Sequence, residues 1–114
     1  MFEESLEANL QLLDLVQKAA DVSIICALKG MSFWRSFPMI GHYLSGATAS
    51  SLNEARLISE EMDCDAHTYA PVYHEDEFQD LMLYSSHITF NSLSQWAKFK
   101  PAIDAFPKPI SCGL

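Results

Sequence analysis

One side chain has an unusual position for its chemistry: the lysine that ends a strongly apolar segment. Five apolar residues, 24–28 (IICAL), precede Lys29, and Gly30 follows it. Such a run predicts a strand buried on both faces. Because burial disfavours a charged ammonium, a lysine there shifts toward its neutral form, and a neutral amine attacks aldehydes. The alternative is that Lys29 marks the exit of the strand into water, with its stem on apolar surface.

The remaining reactive residue types form no recognisable site. The four histidines, His42, His67, His74 and His87, lack the spacing of metal ligands, so we expect no metal centre. The acidic run at 75–77 is typical of the first turn of a helix. No Gly-x-Ser-x-Gly elbow, Walker loop or Gly-x-Gly-x-x-Gly motif is present. These absences argue against most hydrolase, nucleotide and dinucleotide functions and leave Lys29 as the main chemical candidate.

Composition narrows the class of protein further. The 114 residues are 49% hydrophobic and 19% charged, which is ordinary for one globular domain. The formal net charge of −8 opposes binding to nucleic acid or to an anionic membrane. Three cysteines in unrelated positions predict reduced and mostly buried thiols. With neither a basic signal segment nor a long apolar run, we expect a cytoplasmic protein.

Two helical patterns flank the Lys29 strand. Apolar residues recur at helical spacing over residues 2–20, and acidic residues in the first turn match the helix dipole. A second helical pattern covers residues 33–44. Pro38 lies within it, either in the first turn, where proline is tolerated, or at a break that divides the segment.

The rest of the chain alternates strands with helices. Ser51 and Glu54 form a capping-box pattern that opens a helix to about residue 62. The acidic run at 75–77 opens another, and Ser92 caps a third that Pro101 is expected to end early. The further strands are predicted at residues 46–50, 67–71, 87–91 and 110–114.

The predicted strand ends recur at a constant interval. Lys29, Ser50, Pro71, Ser92 and Gly113 are each 21 residues apart. One strand, one crossover helix and two short loops occupy about that length, so the pattern predicts βα units with a parallel sheet. Ligands of such folds bind at the carboxyl edge of the strands, which is where Lys29 lies. Either a five-stranded flavodoxin-type sheet or part of a (β/α)8 barrel fits the pattern, although a complete barrel needs about 250 residues.

Several ordered segments resemble one enzyme family. They are ALKG at 27–30, FW at 33–34, FP at 37–38, GATASSLNEARL at 46–57, YAP at 69–71 and HITFNSLSQW at 87–96. Together they are similar to carboxynorspermidine (carboxyspermidine) decarboxylase. This family uses pyridoxal 5'-phosphate and has the alanine racemase and ornithine decarboxylase fold type. The similarity covers nearly all of the chain.

The resemblance implies a function and a set of site residues. Residues 1–114 would be a partial pyridoxal-phosphate-binding domain, the N-terminal part of a (β/α)8 barrel of which about five parallel strands are present. Lys29 would hold the cofactor as a Schiff base, and Ser50, Ala70 and Asn91 would lie at the rim, with Ser50 and Asn91 as candidate cofactor contacts. Related decarboxylases carry an acidic residue where this chain has Thr48. No acidic contact can therefore be transferred to that position.

The family reaction is the decarboxylation of carboxynorspermidine or carboxyspermidine to norspermidine or spermidine in polyamine biosynthesis. The resemblance implies a polyamine substrate and a homodimer. The rest of the barrel and the C-terminal β-domain, which hold the phosphate and pyridine nitrogen of the cofactor, have no counterpart in these residues. We therefore expect the 114 residues alone to be inactive. The alternative is a self-contained flavodoxin-like binding or interaction domain without catalysis.

Overall fold

The computed structural model describes residues 3–31 and 33–114, and in them five strands alternate with helices. Helix α1 spans Glu3–Ala20, and strand β1 spans Cys26–Ala27. A short 3-10 turn, Trp34–Ser36, leads into α2, Phe37–Tyr43. The later elements are β2 (Ala47–Ala49), α3 (Leu52–Met62), β3 (Ala66–Tyr69), α4 (Glu75–Tyr84), β4 (Ser85–Thr89), α5 (Leu93–Ala105) and β5 (Ser111–Gly113). None of the helices in these residues is long and apolar enough to cross a bilayer.

The five strands form one parallel sheet in the order β1-β2-β3-β4-β5. A flavodoxin-type sheet has the order 2-1-3-4-5, so the flavodoxin alternative is wrong. In a flavodoxin the chain reverses direction across the sheet and covers both faces. Here it advances in one direction, and crossovers of constant right hand then put every connecting helix on the same face.

Burial along the strands confirms a covered face and a bare face. On the covered face Ala47, Ala49, Ala66 and Thr68 are each at most 1% exposed. Their neighbours along the strands, such as Thr48 and Tyr69, are partly or fully open. The core therefore lies between the sheet and the helices, and the opposite face remains bare.

Strand β1 is shorter and more open than the sequence predicts. The predicted strand of residues 24–28, buried on both faces, is reduced to Cys26–Ala27, and Ala27 is exposed. Ala27 is open because β1 is an edge strand and nothing covers the bare face in the described residues. Leu28 points to the covered face and is only 3% exposed.

The predicted strand ends are equally spaced along the sequence, but the residues that pair between neighbouring strands are not. One row of paired residues crosses the sheet through Ala27, Thr48, His67, His87 and Ser111, and its steps along the sequence are unequal. The longest step spans α5, which continues through Pro101 to Ala105 instead of ending early. Pro101 is exposed, so the carbonyl left without its helical partner can bond to water.

The predicted starts of α3, α4 and α5 are confirmed, whereas the helical pattern of residues 33–44 begins with the 3-10 turn and becomes an α-helix only at Phe37. Pro38 lies in the first turn of α2, which was one of the two alternatives. The hydroxyls of Ser51 and Ser92 accept hydrogen bonds from the main-chain N–H groups of Glu54 and Gln95, so both serines are N-caps. The prediction of buried thiols is wrong for Cys112, which is exposed on β5, whereas Cys26 and Cys64 are half-buried, and all three are free.

Helix α1 is held to the sheet by a buried amide as well as by apolar packing. The Gln17 side chain donates to the Tyr43 carbonyl and accepts from the N–H of Ile24 and the hydroxyl of Ser45. Gln17 thereby joins α1, the end of α2 and the start of β1. The helical spacing alone could not reveal this contact, because it is carried by a polar residue.

Candidate active site

Lys29 lies in a tight turn at the carboxyl end of β1. The N–H groups of Gly30 and Met31 both donate to the carbonyl of Ala27, at 2.9 and 3.1 Å. Leu28 is buried, whereas Lys29 and Gly30 are exposed. The predicted burial of Lys29 is therefore wrong for the described residues, and its position matches the alternative, the exit of the strand into water. The turn therefore fixes the backbone that presents this amine at the edge of the sheet.

The Lys29 amine differs from those of the other lysines. In the described residues Lys18, Lys98, Lys100 and Lys108 each form an ion pair with a carboxylate. No ion pair in the same residues involves Lys29. Its amine is therefore available to a ligand without the loss of an existing contact.

Two histidines stack on the bare face of the third and fourth strands. His67 on β3 and His87 on β4 are paired residues, and their rings are 3.9 Å apart and nearly parallel. Burial, and secondarily the nearby His87, lowers the pKa of His67 below the ordinary histidine value. Both effects favour the neutral imidazole. The two histidines belong to the row of paired residues that begins at Ala27 on β1, and Thr48 on β2 lies between Ala27 and the histidine pair.

A β-bulge directs His87 to this position. The register shifts after Ala66, so that Ser86 is an extra residue on β4. Ser85 and Ile88 consequently both face the helices, while His87 faces His67. The Ser86 hydroxyl is 2.8 Å from Nδ1 of His87. Bulges commonly re-aim side chains in this way, but strict alternation could not predict it.

Two of the three predicted rim residues, Ser50 and Asn91, share one backbone arrangement. Each precedes an N-cap serine, and each main-chain N–H donates to the side chain four residues later, Glu54 at 2.6 Å or Gln95 at 2.8 Å. In a standard capping box this side chain would bond the N-cap residue itself. At both positions the main chain is thus held by a side chain of the helix that follows.

The side chain of Asn91 ties together two strand ends. Its amide donates to the carbonyls of Ala70 and Pro71, at 3.1 and 2.6 Å. Asn91 is therefore at the rim, as predicted, and it holds the chain that follows β3. Whether it also contacts a cofactor stays a prediction.

Tyr73, which the sequence did not single out, clamps the same region from the covered side. Its hydroxyl accepts from the Ala70 N–H at 3.1 Å and lies 2.6 Å from the Thr89 carbonyl, to which it donates. The ring packs edge-on against Phe78, Phe90 and Phe99. Burial raises the pKa of Tyr73 above the ordinary tyrosine value, so it remains a hydrogen-bond donor.

A cavity of about 250 Å³ lies on the covered side, next to the same edge. Apolar residues of α3 and α4 and the ring of Tyr73 line it, with Glu77 among the polar residues. The Thr68 hydroxyl that borders it already bonds Ser85. Ser50 and Ala70, two of the predicted rim residues, also line this cavity, so it adjoins the rim from the covered side.

The arrangement fits one part of a pyridoxal-phosphate site. An exposed primary amine at the carboxyl edge of a parallel sheet is the group that such a cofactor requires for attachment. On the bare face β2, β3 and β4 carry hydroxyl and imidazole groups at Thr48, His67 and Thr89. Alternation along these strands indicates such residues, but only once the strand limits are known.

No family model matches the chain. Among curated proteins it is 42% identical over 101 residues to the carboxyaminopropylagmatine decarboxylase of a Synechocystis species, covering 89% of this chain and 26% of that protein. It is 41% identical over 98 residues to the carboxynorspermidine/carboxyspermidine decarboxylase of Campylobacter jejuni, covering 86% and 26%. The chain thus spans about a quarter of the length of the curated relatives that it matches.

A solved structure agrees with the sequence comparison. The crystal structure of carboxynorspermidine decarboxylase from Campylobacter jejuni, complexed with norspermidine, superimposes with a TM-score of 0.91 at 38% identity. The match covers 98% of this chain and 29% of that chain. In fold and sequence the chain is therefore similar to a segment of proteins that are named as decarboxylases. More particularly, the predicted resemblance to carboxynorspermidine (carboxyspermidine) decarboxylase is confirmed, and the chain matches a fragment of it.

Proposed function

We propose that this chain is part of a pyridoxal-phosphate-dependent decarboxylase of carboxynorspermidine or carboxyspermidine, in which Lys29 holds the cofactor. The observation that carries the proposal is the position of Lys29. It is the lysine without an ion pair in residues 3–31 and 33–114, and it is exposed in the turn at the carboxyl end of the first strand of the sheet.

In this proposal residues 1–114 form part of a (β/α)8 barrel whose interior is the bare face. Consecutive strand order with helices on one face is the arrangement of such barrels, and it supports this assignment. Pyridoxal phosphate, when bound, supplies an electron sink for the carbanion that loss of carbon dioxide leaves. Lys29 would anchor it, while the fixed main chain at Ser50 and Asn91 would shape the rim.

The substrate is proposed to be a carboxylated polyamine. The curated relatives are named for carboxynorspermidine, carboxyspermidine or carboxyaminopropylagmatine, and the identities of 41% and 42% do not separate them. Carboxyaminopropylagmatine is therefore a second candidate substrate. The net charge of −8 favours cationic molecules of this kind by long-range attraction. We also propose a cytoplasmic homodimer for the whole enzyme.

The proposal is tested by covalent trapping in the longest polypeptide that contains these residues. Borohydride reduction in the presence of pyridoxal phosphate fixes the cofactor to the amine that holds it, and peptide mapping locates the label. We expect the label on Lys29, together with loss of carbon dioxide from carboxynorspermidine, carboxyspermidine or carboxyaminopropylagmatine when each is supplied.

Two variants make this test specific. Lys29→Met should abolish both the label and turnover, because no amine remains at that position. Lys18→Met is the matched control, since Lys18 is an exposed lysine paired with Asp14 on α1. It should retain both. A label that stays at full strength in Lys29→Met would exclude Lys29 as the cofactor lysine.

A further inference from the structure

Tyr69 is an aromatic residue whose side chain has no structural task in the described part of the chain. It ends strand β3 on the bare face and is 48% exposed, whereas its neighbours Thr68 and Ala70 are buried. In residues 3–31 and 33–114 its phenol takes part in no hydrogen bond and no ring stack. The hydroxyls of Tyr43 and Tyr73, by contrast, both donate hydrogen bonds. Tyr69 is therefore free to contact a ligand at the carboxyl edge of the sheet.

The surface around Tyr69 is polar but uncharged. Thr89 on β4 pairs with Tyr69, and Gly113 on β5 pairs with Thr89, so these three residues form the last row at the carboxyl edge. His67 and His87 pair two residues earlier on the same strands. A β-carbon at Gly113 would lie 3.3 Å from the Thr89 hydroxyl oxygen, so the glycine leaves a recess beside that hydroxyl.

Such a surface suits a positively charged ligand. None of the residues of β2 to β5 is a lysine or an arginine, so these strands carry no fixed positive charge that would repel a cation. Burial lowers the pKa of His67, which favours its neutral form. The face of a tyrosine ring attracts an ammonium group, and neutral imidazole and hydroxyl groups accept its hydrogen bonds. No carboxylate lies on these strands, so the ring of Tyr69 is the main group that attracts a cation.

The position of Tyr69 determines which part of a substrate it meets. Lys29 follows β1 and Tyr69 ends β3, so one strand lies between them. Neighbouring strands are about 4.8 Å apart, which separates β1 from β3 by about 10 Å along the edge. Carboxylated polyamines carry ammonium groups several bonds away from the carbon that bears the carboxylate. A substrate that reacts near Lys29 can therefore extend an ammonium group toward Tyr69.

We infer that Tyr69 binds a distal ammonium group of the polyamine substrate through the face of its ring. This inference rests on the proposed function, because it takes the bare face to be the barrel interior and Lys29 to hold the cofactor. Tyr69 is then a residue that determines specificity: it contacts the substrate but takes no part in bond breaking.

The test measures the binding of norspermidine, a polyamine without a carboxyl group to lose, to the longest polypeptide that contains these residues. Tyr69→Leu should weaken binding by about tenfold or more in isothermal titration calorimetry, because it removes the ring. Tyr69→Phe keeps the ring and should bind within about threefold of the unchanged protein. In turnover assays Tyr69→Leu should raise KM for the carboxylated polyamine with little change in kcat, since the contact forms before the reaction and persists through it.

Controls separate this effect from misfolding and from loss of the cofactor. Tyr84→Leu changes a tyrosine that directly precedes β4, at the opposite edge of the sheet, and it should bind norspermidine like the unchanged protein. Circular dichroism should show the same helix content for all variants, because the Tyr69 side chain lies outside the core. Tyr69→Leu should also keep the borohydride label on Lys29, because its ring contacts the substrate and not the cofactor.

Four results would overturn the inference. They are an unchanged polypeptide that does not bind norspermidine, a Tyr69→Leu variant that binds it undiminished, a Tyr69→Phe variant that loses as much affinity as Tyr69→Leu, and loss of the Lys29 label in Tyr69→Leu. Borohydride trapping in the unchanged polypeptide reports separately on the proposed function. A label on Lys29 combined with norspermidine binding that does not depend on Tyr69 would reject the tyrosine and retain the lysine. A label elsewhere with ring-dependent binding would do the reverse.

Discussion

At the scale of single residues, one hydroxyl holds the two strand ends nearest the rim. Tyr73 bonds both the N–H of Ala70 and the carbonyl of Thr89, and it is buried. We expect Tyr73→Phe to lower the free energy of unfolding by about 1–3 kcal/mol, since it leaves a buried N–H and carbonyl without their partner. Urea denaturation followed by circular dichroism measures this. Tyr69→Phe, at an exposed tyrosine, should change the free energy of unfolding little. An equal loss of stability in this variant would contradict the role of the Tyr73 hydroxyl.

The stacked histidines give the fold a specific dependence on pH. The pKa of His67 is lower in the folded chain than in the unfolded one. The unfolded chain therefore takes up protons first as the pH falls below about 6.5, and stability declines from there toward the folded pKa of His67. Above about pH 6.5 the protonation of His67 causes no loss of stability. Unfolding measured at several pH values should show this decline.

His67→Gln tests the origin of that pH dependence. Glutamine removes the titrating group, so the decline in stability below about pH 6.5 should become smaller. His74→Gln is the control, because His74 is an exposed histidine in the loop before α4. It should keep the decline. If both variants behave alike, the dependence arises from other groups.

At the scale of elements, the N-terminal ends of the helices hold the main chain at the rim. Ser51→Ala removes the cap of α3 and should destabilise the chain by about 1 kcal/mol. Ser51→Asp restores an acceptor and should recover most of the loss. Thermal unfolding of the two variants gives the difference. Equal stabilities for alanine and aspartate at this position would show that the observed bond from Glu54 contributes little.

The sequence predicted the elements well where local chemistry determines them. The caps at Ser51 and Ser92 and the strand-helix alternation follow from residue types within a few positions. The position of Lys29 at a strand end followed in the same way. The exposed side of β1 did not, because burial depends on what covers the bare face. The His67–His87 pair also escaped prediction, since the bulge at Ser86 changes which residues face that side.

At the scale of the whole molecule, the open surfaces set the behaviour of the isolated chain. β1 and β5 are both sheet edges, and one face of the sheet has no helix layer in the described residues. We expect the 114 residues alone to bind an apolar fluorescent dye and to self-associate, since unpaired edges and open apolar surface promote both. Dye fluorescence and sedimentation measure these properties.

The same chain should not turn over carboxynorspermidine by itself. Lys29 offers an attachment point, but the resemblance implies that the groups that hold the phosphate and the pyridine nitrogen of the cofactor belong to other parts of such an enzyme. Release of carbon dioxide from the purified chain with pyridoxal phosphate would contradict the proposed division of the site.

Residues 50 and 91 at the rim differ in how freely their side chains can be substituted, because they are held by different kinds of hydrogen bond. At residue 50 the main chain is held by Glu54, and no described hydrogen bond uses the serine hydroxyl. At residue 91 the asparagine side chain itself joins β4 to the chain after β3. The side chain at 50 could therefore be exchanged without loss of a described hydrogen bond. An exchange at 91 would also have to replace two structural bonds.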